Sequence, residues 1–128
     1  MPKPILIIAD DDAGIRKYIR NVAEELGFEV GEAASGVEYR ELYGATDAQI
    51  IMLDITMPEE HGIELFDFIH DRHPKSKIVI ITGRSEVYLD GAIRLGTEKG
   101  LNMVGGLNKP INLEKLERLL KEALPTQE

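Results

Sequence analysis

The stretch Ile50-Ile51-Met52-Leu53-Asp54-Ile55-Thr56-Met57-Pro58 restricts this chain more than any other. Four apolar residues run unbroken into one carboxylate, and a proline follows four residues later. The run is too short for a convincing helix and lacks the alternation of a half-exposed strand. It therefore reads as a strand buried on both faces, the pattern of a parallel sheet covered by helices. Asp54 then falls where that strand leaves the core. An unpaired charge at such a place is costly, and metal coordination and nucleophilic chemistry both supply a reason for it. The plain alternative is an aspartate capping a turn ahead of Pro58, and the rest of the chain bears on the choice.

The same grammar recurs. Ile5-Leu6-Ile7-Ile8-Ala9 is a first buried strand that stops at Asp10-Asp11-Asp12, with Asp12 placed to cap the helix that follows. That helix carries an apolar stripe at Ile15, Ile19, Val22, Ala23 and Leu26 and ends at Gly27. A less apolar strand over Phe28 to Ala33 suits a sheet edge. Ser35 and Glu38 have capping-box spacing and open a short helix ending near Tyr43-Gly44. After Asp54 come a loop with Pro58 and Gly62, then a helix with Ile63, Leu65, Phe66, Phe68 and Ile69 that closes before Pro74.

Ile78-Val79-Ile80-Ile81 is a fourth buried strand and runs into Thr82-Gly83-Arg84-Ser85. Val87, Leu89, Ala92, Ile93 and Leu95 favour a helix, which Gly91, Gly96 and Gly100 weaken by about 1 kcal/mol each where they fall inside it. Leu101 to Leu107 reads as a fifth strand, Gly105-Gly106 marking a bulge or a close backbone approach. Asn112 opens a last helix with a stripe at Leu113, Leu116, Leu119, Leu120 and Leu124. Alternating strands and helices of this kind predict one α/β domain over residues 1–128, a parallel sheet with helices on both faces.

Composition removes several functions. With no cysteine, neither a disulfide framework nor a thiolate metal site can form. No apolar run approaches the roughly 20 residues of a membrane span, and Met-Pro-Lys-Pro does not read as a signal peptide, so a cytoplasmic location and no membrane partner are expected. The 23 acidic residues against 15 basic ones give a net charge of −8, which disfavours direct nucleic-acid binding. His61, His70 and His73 have no metal-ligand spacing and read as solvated side chains.

In open α/β sheets ligands bind beyond the carboxyl ends of the strands. Here those ends carry Asp10 and Asp11, Asp54, Thr82, and the run Lys109-Pro110. Converging carboxylates repel unless a cation sits between them. An all-oxygen site suits a hard, hydrated ion, Mg²⁺ first and Mn²⁺ as a substitute. Asp54 could then attack phosphorus and become an acyl phosphate, with a hydroxyl donor at Thr82 and a cation at Lys109 for the phosphoryl oxygens.

The pieces Asp10-Asp11 with Arg16, Leu53-Asp54-Ile55-Thr56-Met57-Pro58 with Gly62, Ile81-Thr82-Gly83, and Asn108-Lys109-Pro110 together resemble the receiver domain of two-component response regulators, over essentially the full length. The resemblance implies a flavodoxin-like (βα)5 domain with strand order 2-1-3-4-5, and a signalling switch rather than an enzyme. It implies Asp54 as phosphoacceptor and Mg²⁺ bound by Asp11, Asp54 and the backbone carbonyl of Thr56, with Asp10 acting through water. Thr82 and Lys109 would hold the phosphoryl group, Gly83 would flank it, and the Lys109–Pro110 bond would be cis. Thr56 and Arg84 would tune how long the phosphoryl group survives. The donor would be a histidine kinase or a histidine phosphotransfer protein. The reader would be a downstream protein or output domain meeting the face from the fourth helix to the fifth, and a phosphorylation-dependent homodimer is among the family's outcomes.

Two departures weigh on that output face. The family's aromatic switch position, three residues before the lysine, is Gly106, so that readout is absent. Thr82 and Lys109 stand 27 residues apart, several more than the family pattern, so its usual dimer and partner contacts are not carried over. After Leu124 only Pro-Thr-Gln-Glu remains, leaving no room for an effector or DNA-binding domain in this sequence: it reads as a stand-alone receiver or a part of a longer chain. Competing readings are a Mg²⁺-dependent phosphatase of the haloacid-dehalogenase type, a flavodoxin-like flavin carrier, and a receiver-fold interaction module that ignores phosphorylation. The phosphatase wants a second aspartate where Thr56 stands. The flavin carrier wants a phosphate-cradling first loop, where three aspartates would repel one.

Overall fold

In the computed structural model, which describes residues 2–57 and 62–125, five strands and five helices alternate along the chain. They are β1 (Ile5–Ala9), α1 (Ala13–Glu25), β2 (Glu29–Ala33), α2 (Gly36–Tyr43), β3 (Ile50–Asp54), α3 (Leu65–Arg72), β4 (Lys77–Thr82), α4 (Glu86–Glu98), β5 (Asn102–Asn108) and α5 (Leu113–Ala123). The sheet is parallel throughout, in the order β2-β1-β3-β4-β5, as the sequence and its resemblance led us to expect. Pro58 and His61 lie outside the described residues. No helix among the described residues is long and apolar enough to cross a membrane.

The unbroken apolar runs are explained by two cores, one on each face. Ile7, Ile51, Leu53, Ile78 and Ile80 point to one side and meet Tyr39 of α2, Phe66 and Ile69 of α3, and Leu89 and Ala92 of α4. Leu6, Ile8, Ile50, Met52, Val79 and Ile81 point to the other and meet Ile19 of α1 with Leu116 and Leu120 of α5. Neighbouring strand residues thus serve opposite cores, and a one-residue slip would exchange the two sets.

Helix ends follow the local chemistry. The Asp12 carboxylate accepts from the N–H groups of Gly14 and Ile15, Ser35 Oγ accepts from Glu38, and Asn112 accepts from Lys115. Glu38 reaches back to the N–H of Ala34 rather than to Ser35. Gly27, at φ 99°, ends α1 in the left-handed conformation that glycine tolerates without a Cβ penalty.

Two expectations, on Leu113 and His73, are corrected. Leu113 is 46% exposed, because it sits in the first turn of α5, outside the buried stripe. Of the two readings of Gly105-Gly106, the close approach holds; the bulge in β5 falls beside the pair at Val104, skipped between Ile78–Met103 and Val79–Gly105. A Cβ on Gly106 would lie 2.6 Å from Leu89 Cδ1 and 3.0 Å from Ile93 Cδ1, and one on Gly105 2.8 Å from Leu119 Cδ2. His73 is 4% exposed, not solvated: it ends α3 and turns its ring inward against Tyr39 and Phe68, while His70 stays half-exposed.

Candidate functional site

Strand register brings the predicted residues to one edge of the sheet. Asp10 directly follows β1 and its N–H still donates to Ala33 of β2. Asp54 is the last residue of β3 and pairs with Ile81, one residue short of Thr82 at the end of β4. Thr82 pairs with Asn108, and its carbonyl accepts from the N–H of Lys109 at 2.9 Å. The Lys109–Pro110 bond is cis.

Three carboxylates meet there. One oxygen from each of Asp10, Asp11 and Asp54 lies within 4.8 Å of the others. Asp10 and Asp54 are buried, while Asp11 is exposed and makes no hydrogen bond or ion pair among the described residues. Lys109 is the counterion, its Nζ donating to Asp54 Oδ2 at 3.1 Å and to Asp10 Oδ1 at 3.3 Å. Asp10 Oδ2 lies 3.1 Å from the same ammonium but off the hydrogen-bonding direction, so it accepts no hydrogen bond among the described residues. Asp54 Oδ1 accepts twice from Thr56, from its N–H at 2.8 Å and its hydroxyl at 2.7 Å.

Burial pushes the Asp10 carboxyl up to about 6, and the charge of Asp54 adds to the rise. The Asp12 N–H and Lys109 pull against it. Burial works against the charge of Lys109, but its bonds to Asp10 and Asp54 outweigh that and raise its pKa. One lysine therefore offsets part of a negative cluster. The donors that remain are hard oxygens, one of them a buried carboxylate oxygen without a hydrogen bond. These residues fit a small divalent cation of the Mg²⁺ class.

The flanking residues are arranged differently. Thr82 is fully buried and its Oγ1 accepts from the N–H of Arg84. The Arg84 guanidinium lies 4.4 Å from the centre of the Tyr88 ring, and its carbonyl accepts from Asn108 Nδ2. Gly83 is exposed between them, and Pro110 follows Lys109 in the bend after β5. Gly106 contributes no group to the cluster, since Leu89 and Ile93 of α4 occupy the space beside it.

Sequence reading singled out Arg16 without a role and missed Glu32 and Arg20. Arg16 Nη1 donates to the Asp10 carbonyl at 2.6 Å and its Nε to Glu32 at 3.0 Å. Arg20 holds the other Glu32 oxygen and the Val30 carbonyl. The available signal was weak: two arginines four residues apart on α1, a spacing that places them on one face.

The family model of the response regulator receiver domain matches residues 6–121. A chemotaxis protein CheY of Listeria monocytogenes is 34% identical over 96 residues, covering 73% of this chain and 80% of that one. The CheY of Thermotoga maritima is 36% identical over 87 residues, covering 67% and 72%. Among solved structures, CheY4 of Vibrio cholerae superposes with a TM-score of 0.81 at 24% identity, covering 96% of this chain and all of its own, a likeness of fold.

Proposed function

The chain belongs to the response regulator receiver family, and we propose that it is a phosphorylation-dependent switch, residues 1–128 forming one receiver domain with Asp54 as phosphoacceptor. Receiver domains are signalling modules rather than conventional enzymes, so the chemistry proposed is the chain's own phosphorylation and dephosphorylation. The observation that carries the reading is the meeting of Asp10, Asp11 and Asp54, with a lysine from the end of another strand bridging Asp10 and Asp54.

Asp10, Asp11, Asp54 and the carbonyl of Thr56 would hold Mg²⁺, or Mn²⁺ in its place. When bound, the ion would offset the carboxylate charge and polarise the phosphoryl oxygens. An Asp54 oxygen forms the new bond to phosphorus as the phosphorus–nitrogen bond of a donor phosphohistidine breaks, and the departing imidazole takes up a proton. Thr56 and Lys109, which hold the two Asp54 oxygens before reaction, are free to pass their hydrogen bonds to phosphoryl oxygens afterwards. Thr82 supplies a hydroxyl from the neighbouring strand end once it releases the N–H of Arg84.

A hydrogen bond to a charged group contributes about 1.5–3 kcal/mol, so Thr82 and Lys109 together supply about 3–6 kcal/mol. Moving a population from 1:99 to 99:1 takes about 5.5 kcal/mol. The two contacts therefore reach a full switch only at the top of their range, and a partner that prefers the phosphorylated form completes it. A histidine kinase or phosphotransfer protein upstream, and a reader on the face from α4 to α5, fit this scheme. Thr56 and Arg84 flank the site and would set its lifetime. With Thr56 where a phosphatase of the haloacid-dehalogenase type needs its second acid, steady turnover of phosphoesters is not expected.

Incubation with acetyl phosphate and Mg²⁺ should add one phosphoryl mass. Asp54→Asn, or chelation of the metal, should abolish it; an adduct that survives Asp54→Asn reassigns the acceptor.

A further inference from the structure

The acidic turn is exposed at its middle residue yet fastened on either side. The β1 ladder ends at the Asp10 N–H, so the Asp10 carbonyl points past the last strand partner. The Arg16 guanidinium takes that carbonyl at 2.6 Å. Two residues on, Asp12 is held through its N–H on Asp10 Oδ1 and through its carboxylate on the first N–H groups of α1. Asp11 lies between these anchors and has none of its own among the described residues.

Arg16 is itself held. Its Nε pairs with Glu32 on edge strand β2, and Arg20 pairs with the second Glu32 oxygen while donating to the Val30 carbonyl. The Arg16 side chain is 17% exposed, so this fork is more sheltered from solvent screening than an ordinary surface pair. A guanidinium holds a carbonyl and a carboxylate at once in directions fixed by its planar fork, whereas a lysine ammonium on a flexible stem is less pre-organised.

We infer that Arg16, anchored by Glu32, is a positioning residue for the metal site: it fixes the Asp10 carbonyl on one side of Asp11, as the Asp12 bonds fasten the other, and so helps to set the place of Asp11. The inference rests on the reading of the acidic cluster as a divalent-cation site. Groups that orient metal ligands from outside change metal affinity by about 10–100-fold when lost. Arg16 sits outside the proposed phosphoryl contacts, so its loss should weaken metal binding and spare chemistry at saturating metal.

The test is Mn²⁺ binding to the unphosphorylated protein, followed by the spin-resonance signal of the free ion. Beside it, acetyl phosphate labelling is titrated with Mg²⁺ to give a half-saturating concentration and a maximal rate. Arg16→Gln should raise the Mn²⁺ dissociation constant and the Mg²⁺ half-saturation about 10-fold with the maximal rate within about twofold of the parent. Arg16→Lys should not restore affinity, and Glu32→Gln, which keeps the arginine and loosens its anchor, should show a smaller loss of the same kind. Should Arg16→Gln fail to fold, Glu32→Gln decides. Unchanged Mn²⁺ affinity in a folded variant, or full rescue by Arg16→Lys, overturns the positioning role and leaves the cation site standing. Absence of saturable Mn²⁺ binding to the parent protein overturns both.

Discussion

The two ends of the sheet bury ionisable groups in opposite ways. At the carboxyl end, Asp10 and Asp54 share one lysine with exposed Asp11 alongside, and burial drives the Asp10 pKa upward. At the amino end, His73 is packed edge-on against Tyr39 and Phe68, and both ring nitrogens lack a hydrogen-bond partner among the described residues. Burial lowers its pKa, Asp47 and the Tyr43 backbone oppose that, and Arg72 reinforces it. A hollow of about 430 Å³ opens beside His73 between residues 47–49 and 73–76. A buried titratable group, or a hollow, is thus not enough to mark a site. Like charges collected from separate strands are what call for a ligand, while burial among aromatic rings disfavours the charged form of His73.

The comparison can be broken most readily at the acidic end. Asp10→Asn should stabilise the metal-free protein at pH 7.5 by about 1–3 kcal/mol, the scale of a carboxyl raised from 3.8 to about 6, read as a shift in urea midpoint. A raised pKa adds stability that is present below 3.8 and lost as the pH climbs through about 6, so the substitution should also remove that decline. No gain would mean that Lys109 already neutralises the cluster.

Gly106→Tyr asks whether packing beside the site tolerates the ring that relatives are expected to carry. With Leu89 Cδ1 2.6 Å from the first added carbon, it should cost about 1–3 kcal/mol, and Leu89→Ala should recover part of it. The opposite end is tested by His73. A lowered pKa contributes stability that is present above 6.5 and lost as the pH falls below it, the reverse slope to that of Asp10. His73→Gln should flatten the fall in Tm between pH 6.5 and pH 5 by a few degrees, on the order expected for a small stability change in a domain of this size. Gly91 is the control remote from both ends: it is exposed in mid-helix with nothing within 4 Å of an added Cβ. Gly91→Ala should therefore gain about 0.5–1 kcal/mol equally at both pH values.

Much of this molecule was legible from local pattern. Unbroken apolar runs announced strands that β1, β3 and β4 confirm, and Asp12, Ser35 and Asn112 announced helix starts that cap as expected. The mixed strand at Glu29–Ala33 does lie at an edge. What failed were judgements of depth. Leu113 matches the stripe of the last helix by spacing and still faces water, and His73, read as solvated, is buried. Gly105-Gly106 does mark a close approach, as its residues suggested, and the bulge falls beside it at Val104.

Sequence by itself determined the elements, their alternation and which residues end each strand, because hydrophobic period, capping and turn chemistry act between near neighbours in the chain. Only the tertiary structure decided that Lys109 lies between Asp10 and Asp54, that Arg16 takes the Asp10 carbonyl, and that Leu89 and Ile93 crowd Gly106. Those contacts depend on strand order, register and helix placement. Lys109 stands 99 residues from Asp10 and 55 from Asp54, and it meets them at 3.3 and 3.1 Å only because the whole sheet has chosen a single arrangement.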